Sequence, residues 1–198
     1  MRSAIIGICG WVVAAGAAEV EVRVRLQDYA SVPAVWLTTA KAVATGILEN
    51  ARVSVLWLDC SPSLARRDTL CSIPPGPLDL QLRILSEEMA KRTHRSRQSM
   101  GSAMVSGRFP SIASVFYHRA VELEAGKPCA RAEILGGILA HEIGHLLLAE
   151  NSHSGTGVLR AQWGDEDLRM IARGRLWFTP EQAGRMASRV TERMHAAQ

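Results

Sequence analysis

From Glu19 to Leu26, charged residues alternate with Val20, Val22, Val24 and Leu26. This period of two predicts a strand with one buried face. Pro33 then opens a stretch to about Glu49 in which Val35, Thr39, Val43 and Ile47 or Leu48 recur at helical spacing. Val53 to Leu58 is a largely apolar run with a β-branched start, a second strand. Strand, helix and strand in such short compass predict a βαβ unit with parallel strands. Asp59 to Pro77, rich in Ser, Pro and charge, reads as loop, and Leu78 to Leu85 alternates again as a third strand. Glu87 to Ser99 fits either a short helix or an exposed loop. Ser111 to Val121, with Ile112, Val115, Phe116 and Tyr117, favours a further strand.

Lys127-Pro128 breaks the chain before a long helix, about Ala130 to Ala149, and irregular structure is expected from His153 to Trp163. A last helix starts at Thr179-Pro180-Glu181-Gln182, with Thr as N-cap, Pro in the first helical position and Gln three residues after the cap. It runs to about His195. The pattern contains no internal repeat.

With 198 residues, 47% hydrophobic and 21% charged, the chain suits one globular domain with a full core. A net charge of +4 is mild. The chain lacks the basic stripe with interleaved aromatics expected of a nucleic-acid binder, so no nucleic-acid partner is expected. Its one basic run, Lys91-Arg-Thr-His-Arg-Ser-Arg97, reads as a solvated loop rather than a phosphate-binding patch.

Residues 1 to 18 have the form of an export signal: Arg2, an apolar stretch from Ala4 to Val13, then the small residues Ala14 to Ala18. The apolar stretch is short for a membrane span, so no stable span is expected in the mature chain. The expectation is a single domain from residue 19 to 198, secreted or periplasmic. A retained signal acting as a membrane tether is the alternative. In an oxidising compartment, Cys60 and Cys71, which flank the Ser/Pro/Arg-rich loop, are expected to pair and leave Cys129 without a partner. Sequence leaves other pairings open.

The chemistry lies on the long helix. His141-Glu142-Ile-Gly-His145 is an H-E-x-x-H motif. At 3.6 residues per turn its two histidines stand about 40° apart and about 6 Å apart along the axis, so both imidazoles can face one metal ion. Glu142, beside them, can hold a water rather than the metal. Apolar residues (Ile134, Leu135, Ile138, Leu139) precede the motif. Polar groups on a buried helix need compensation, which metal ligation provides. The third ligand is expected to be His153, after the turn-favouring Asn151-Ser152, with Glu166 or Asp165 as competitors.

Around Ala140 to Trp163 the sequence resembles the metzincin clan of zinc metallopeptidases, especially its matrixin-like members. Their pattern is H-E-x-x-H-x-x-G-x-x-H, followed by a tight turn containing methionine beneath the zinc. His141, Glu142 and His145 match it. Leu148 stands at the glycine position, Asn151 at that of the third histidine, His153 two residues later, and Leu159 in the region of the methionine turn. Leucine for methionine preserves bulk and apolarity. The resemblance implies an α+β fold: a twisted mixed β-sheet, a backing helix, an active-site helix carrying the motif and a C-terminal helix.

It further implies a zinc-dependent endopeptidase acting on peptide or protein substrates. His141, His145 and His153 would hold one Zn²⁺, with Glu142 as general base. The strand around Ser114 to Tyr117 would form the upper edge of the cleft, and Tyr117 and His118 are candidate transition-state donors. A zinc-stabilised binding module without hydrolytic activity is the reading from another class.

Overall fold

The structure, a computed structural model, describes residues 21–62, 69–109, 111–127 and 129–198; the candidate export signal lies outside the described residues. The strands are β1 (Glu21–Asp28), β2 (Ser54–Asp59), β3 (Asp79–Leu85), β4 (Gly101–Met104) and β5 (Ile112–Phe116). The helices are α1 (Ala34–Asn50), α2 (Glu87–Lys91), α3 (Tyr117–Glu124), α4 (Arg131–Leu148), α5 (Asp165–Ala172) and α6 (Pro180–His195). The strands form one five-stranded sheet in the order β2-β1-β3-β5-β4. β1, β2, β3 and β5 run parallel, and β4 pairs antiparallel with β5 at the edge. The architecture is thus mixed α+β, with the expected βαβ unit formed by β1, α1 and β2.

The alternation read in β1 is the burial pattern found, since Val22, Val24 and Leu26 are all buried. Arg25, also buried, donates through Nε to Asp79 at 2.9 Å, and the more exposed Arg23 reaches the same carboxylate at 2.8 Å. Asp79 thereby ties β1 to β3. A buried carboxylate shared by two guanidiniums is paired as its burial requires.

α4 is the central element. Every residue from Ile134 to Leu148 is buried, and the helix packs on α1, α3, α5, α6 and the strands β3 to β5. A helix apolar all round belongs inside the molecule. Gly136 permits the close contact with α1: a Cβ there would lie 2.6 Å from the Ala40 carbonyl oxygen and 2.6 Å from Val43 Cβ. α6 has the cap that its sequence announces. Thr179 N–H donates to Gln182 Oε1 at 3.0 Å, and Gln182 N–H donates to Thr179 Oγ1 at 3.2 Å. From α6, the buried Arg193 donates to the Leu146 carbonyl at 3.0 Å, tying the C-terminal helix to the last turn of α4.

One segment differs from the sequence reading, and two elements, β4 and α5, were not read from it. The run expected as one strand from Ser111 to Val121 stops at Phe116, and α3 begins at Tyr117. Buried Ala120 and partly buried Leu123 follow Phe116 at helical spacing, which overrides the β-branched character upstream. The ambiguous stretch from Glu87 yields only the short α2, capped by Ser86, and it is followed by β4, a strand of four residues whose Gly-Ser-Ala-Met sequence has little β character. The span from His153 to Trp163 is irregular, as expected, and remains so to Gly164. There α5 starts, with Asp165, Glu166 and Asp167 in its first turn and Leu168 and Ile171 buried. Cys60 and Cys71 are disulfide-bonded with Cα atoms 5.5 Å apart, and Cys129 is free and buried. No helix among the described residues is long and apolar enough to cross a membrane.

Candidate metal centre and catalytic site

α4 ends at Leu148, and the chain reverses through Ala149, which adopts a left-handed conformation (φ 55°). An alanine thus performs the reversal one position after the place where glycine was expected. Its N–H is satisfied by the His145 carbonyl. The reversal returns His153 to the helix: its ring centroid is 5.3 Å from that of His141 and 4.9 Å from that of His145. One potential ligand atom from each of the three histidines lies within 4.8 Å of the others.

Two backbone carbonyls fix the buried pair. His141 Nδ1 is 2.8 Å from the Val158 carbonyl oxygen, and His145 Nδ1 is 2.8 Å from that of Glu150. A carbonyl only accepts, so each Nδ1 carries the proton and each Nε2 presents a lone pair. Burial, with the neighbouring His145 second, pushes the His141 pKa down to about 3, and burial lowers those of His145 and His153. The two Nε2 atoms face each other at 3.0 Å. Two unprotonated nitrogens at that distance repel unless a cation lies between or beside them. Neutral imidazoles oriented by second hydrogen bonds are the form in which histidine ligates a metal.

Leu159, in place of the expected methionine, is fully buried, and a Cβ on Gly144 would lie 3.3 Å from its side chain. The residue before it, Val158, contributes more directly. Its carbonyl oxygen also accepts from Trp163 Nε1 at 3.2 Å, so one oxygen fixes both His141 and the Trp163 ring.

Glu142 lies next to the histidines, and its Oε2 is buried without a hydrogen-bond partner among the described residues. Desolvation raises its pKa to about 8, partly opposed by the positive charge of Arg95. The carboxyl group rests against Gly101 on β4: a Cβ there would come within 2.5 Å of Glu142 Oε1 and 2.3 Å of the Ser114 carbonyl oxygen. Only glycine fits. The donor set and the orphaned carboxylate oxygen match a zinc site with three imidazoles and an uncoordinated base.

These groups open into a cavity of about 360 Å³. Its lining includes His141, Glu142, His145 and His153, together with Gly101 to Ala103 of β4 and, from the preceding segment, Arg95, Ser96, Gln98, Ser99 and Met100. The competing third ligands are held elsewhere: Glu166 pairs with Arg169 at 2.9 Å and Asp165 with Lys127 at 2.6 Å, and neither lines the cavity. The cleft edge is also reassigned. β5 is flanked by β3 and β4, leaving no room for a further strand, and β4 is the edge strand at the cavity. Tyr117 and His118 face a separate cavity with Glu122 and Val121, which argues against their role as donors at this site. Gly101 and Arg95 escaped the sequence reading. The only hint of Gly101 was a glycine opening a short apolar segment, and Arg95 was submerged in a run of like charges.

No protein-family profile matches the chain, and no curated protein does. Among solved structures, it is similar to a zinc-dependent peptidase from Methanocorpusculum labreanum, with 17% identity and a TM-score of 0.53 over 82% of this chain and 99% of that one. It is also similar to archaemetzincin from Methanopyrus kandleri, with 16% identity and a TM-score of 0.53 over 89% of this chain and 99% of that one. At such identities the likeness establishes a shared fold, and it spans nearly the whole of both relatives.

Proposed function

We propose that this chain is an exported, metzincin-like zinc metalloendopeptidase in which His141, His145 and His153 hold the ion and Glu142 is the general base. The observation that carries the reading is the pair of Nε2 lone pairs 3.0 Å apart beside the buried, unpartnered Glu142 oxygen. The fold shared with two solved zinc peptidases supports it. Export rests on the form of residues 1 to 18, and the Cys60–Cys71 disulfide is in keeping with an oxidising destination.

Zinc bound there supplies Lewis acidity, bringing the attacking water's pKa towards neutrality and polarising the peptide carbonyl. The remaining chemistry belongs to the chain's own residues. Glu142, whose desolvated niche raises its proton affinity above that of an ordinary carboxylate, takes the water's proton through a carboxylate oxygen and delivers it to the departing amine nitrogen. The Nδ1–H bonds of His141 and His145 hold both rings in the ligating tautomer through the cycle. β4 pairs with no strand on its outer side among the described residues, so an extended substrate can add to the sheet there, above the histidines.

Digestion of a peptide library by the zinc-loaded protein, beside Glu142→Gln with its zinc content measured, tests the proposal. Cleavage by the native chain is expected, falling about 10²–10⁴-fold in the variant while zinc is retained. A zinc-loaded native chain that cleaves no peptide supports the non-catalytic binding module instead.

A further inference from the structure

The basic run from Lys91 to Arg97 has no part in the mechanism above, yet one of its members faces the catalytic cavity. Lys91 pairs with Glu87 at 3.0 Å, Arg92 with Glu88 at 2.5 Å and Arg97 with Glu122 at 3.1 Å. Arg95 makes no ion pair and no hydrogen bond among the described residues. It lines the cavity that holds Glu142 and the three histidines, and among the described residues it is the only lysine or arginine there. Among the described residues, Glu142 is the only carboxylate in that lining. Ser96 and Arg95 also form the wall shared with a second cavity of about 170 Å³, lined by Ala90, Phe116 and His118 among others.

An unpaired guanidinium at the mouth of a cleft attracts anions, and its planar fork matches a carboxylate with two parallel hydrogen bonds. The cleft's other polar lining beyond the histidines, Ser96, Gln98, Ser99, Ser102, Asn151 and Gln162, carries no charge. The neighbouring cations are neutralised, so the charge presented to a bound peptide is concentrated at one position.

We propose that Arg95 sets the substrate preference of this cleft by binding a carboxylate of the peptide, supplied by an acidic side chain or by the C-terminal α-carboxyl group. The inference rests on the peptidase reading for its meaning, and its test reads binding apart from hydrolysis. Fluorescent peptides of one sequence are titrated by anisotropy into the zinc-loaded Glu142→Gln protein, with and without Arg95→Gln, Arg95→Glu or Arg92→Gln. In one arm Glu replaces Gln at each position in turn in C-terminally amidated peptides. In the other the amide is replaced by the free acid.

A carboxylate at one position, or at the C-terminus, is expected to tighten binding about tenfold or more. Arg95→Gln removes the preference, Arg95→Glu reverses it, and Arg92→Gln leaves it intact. The arm that responds identifies the source of the carboxylate. No binding, binding indifferent to the carboxylate, or a preference that survives Arg95→Gln or is lost equally in Arg92→Gln overturns the proposal. The two readings fail separately. Carboxylate-selective binding by a chain that cleaves nothing refutes the peptidase, whereas indiscriminate binding and cleavage refute the role of Arg95.

Discussion

His153 differs from the other two candidate ligands in being exposed, and that difference separates metal binding from folding. Its replacement by alanine opens no cavity in the core, so the metal-free variant is expected to unfold within about 0.5 kcal/mol of the metal-free native chain. With the metal in hundredfold excess over its dissociation constant, a native site gains about 2.7 kcal/mol. Thermal melts with and without zinc should therefore show a rise in Tm for the native chain that His153→Ala loses at the same zinc concentration. An equal rise in both would remove His153 from the ligand set. Cys129 presents the opposite case, a group with chemistry it does not use. Burial, assisted by the neighbouring Glu133, pushes its thiol up to about 12. Its folded pKa lies above the ordinary value, so the reactive thiolate is scarce in the folded chain throughout the neutral range. Iodoacetamide at pH 8 should leave Cys129 unlabelled in the native protein and label it in denaturant, as read by peptide mass mapping. Rapid native labelling would place the thiol at the surface.

Among the secondary-structure elements, β4 exerts the greatest influence for its length. Gly101→Ala would press a methyl group against both the Glu142 carboxyl group and the Ser114 carbonyl. Hydrolysis is expected to fall at least tenfold, with stability lowered by about 1–3 kcal/mol, because neither neighbour can yield without moving the base or the β4–β5 pairing. Unchanged activity would show that Glu142 is not confined by this strand. β4 was also the element least legible in the sequence. α4 and α6 announce themselves by a continuous apolar run with a metal motif and by a reciprocal cap, both local signals. β1 and β3 are equally plain, since alternation records a buried face. β4 is a strand because β5 offers it an edge, and nothing in Gly-Ser-Ala-Met requires that. α5 was missed because its buried face amounts to Leu168 and Ile171, too short a pattern to stand out. Of the site, the two histidines and Glu142 could be read from helical geometry, and His153 from its turn residues. Gly101 and Arg95 are recruited from distant sequence by the fold.

The assembled chain places its disulfide and its candidate metal centre in cavities that share no residue. Stability and chemistry should therefore respond separately. The Cys60–Cys71 bond closes a loop of sequence separation 11, for which chain entropy gives about 3 kcal/mol. Replacing both cysteines with serine should lower the unfolding free energy by about that much in urea titrations while leaving the rate of peptide hydrolysis within about twofold of native. A large loss of hydrolysis would reveal a coupling between the two regions. The proposed chemistry depends on the centre itself: three neutral imidazoles converging on one ion, with the adjacent carboxylate uncoordinated. X-ray absorption at the zinc edge, on the zinc-loaded protein, addresses it most directly. The spectrum is expected to contain three imidazoles, with nitrogens at about 2.0–2.1 Å, to lose one of them in His153→Ala and to be unchanged in Glu142→Gln. A native spectrum with two imidazoles, or one altered by removing the Glu142 carboxylate, would contradict it.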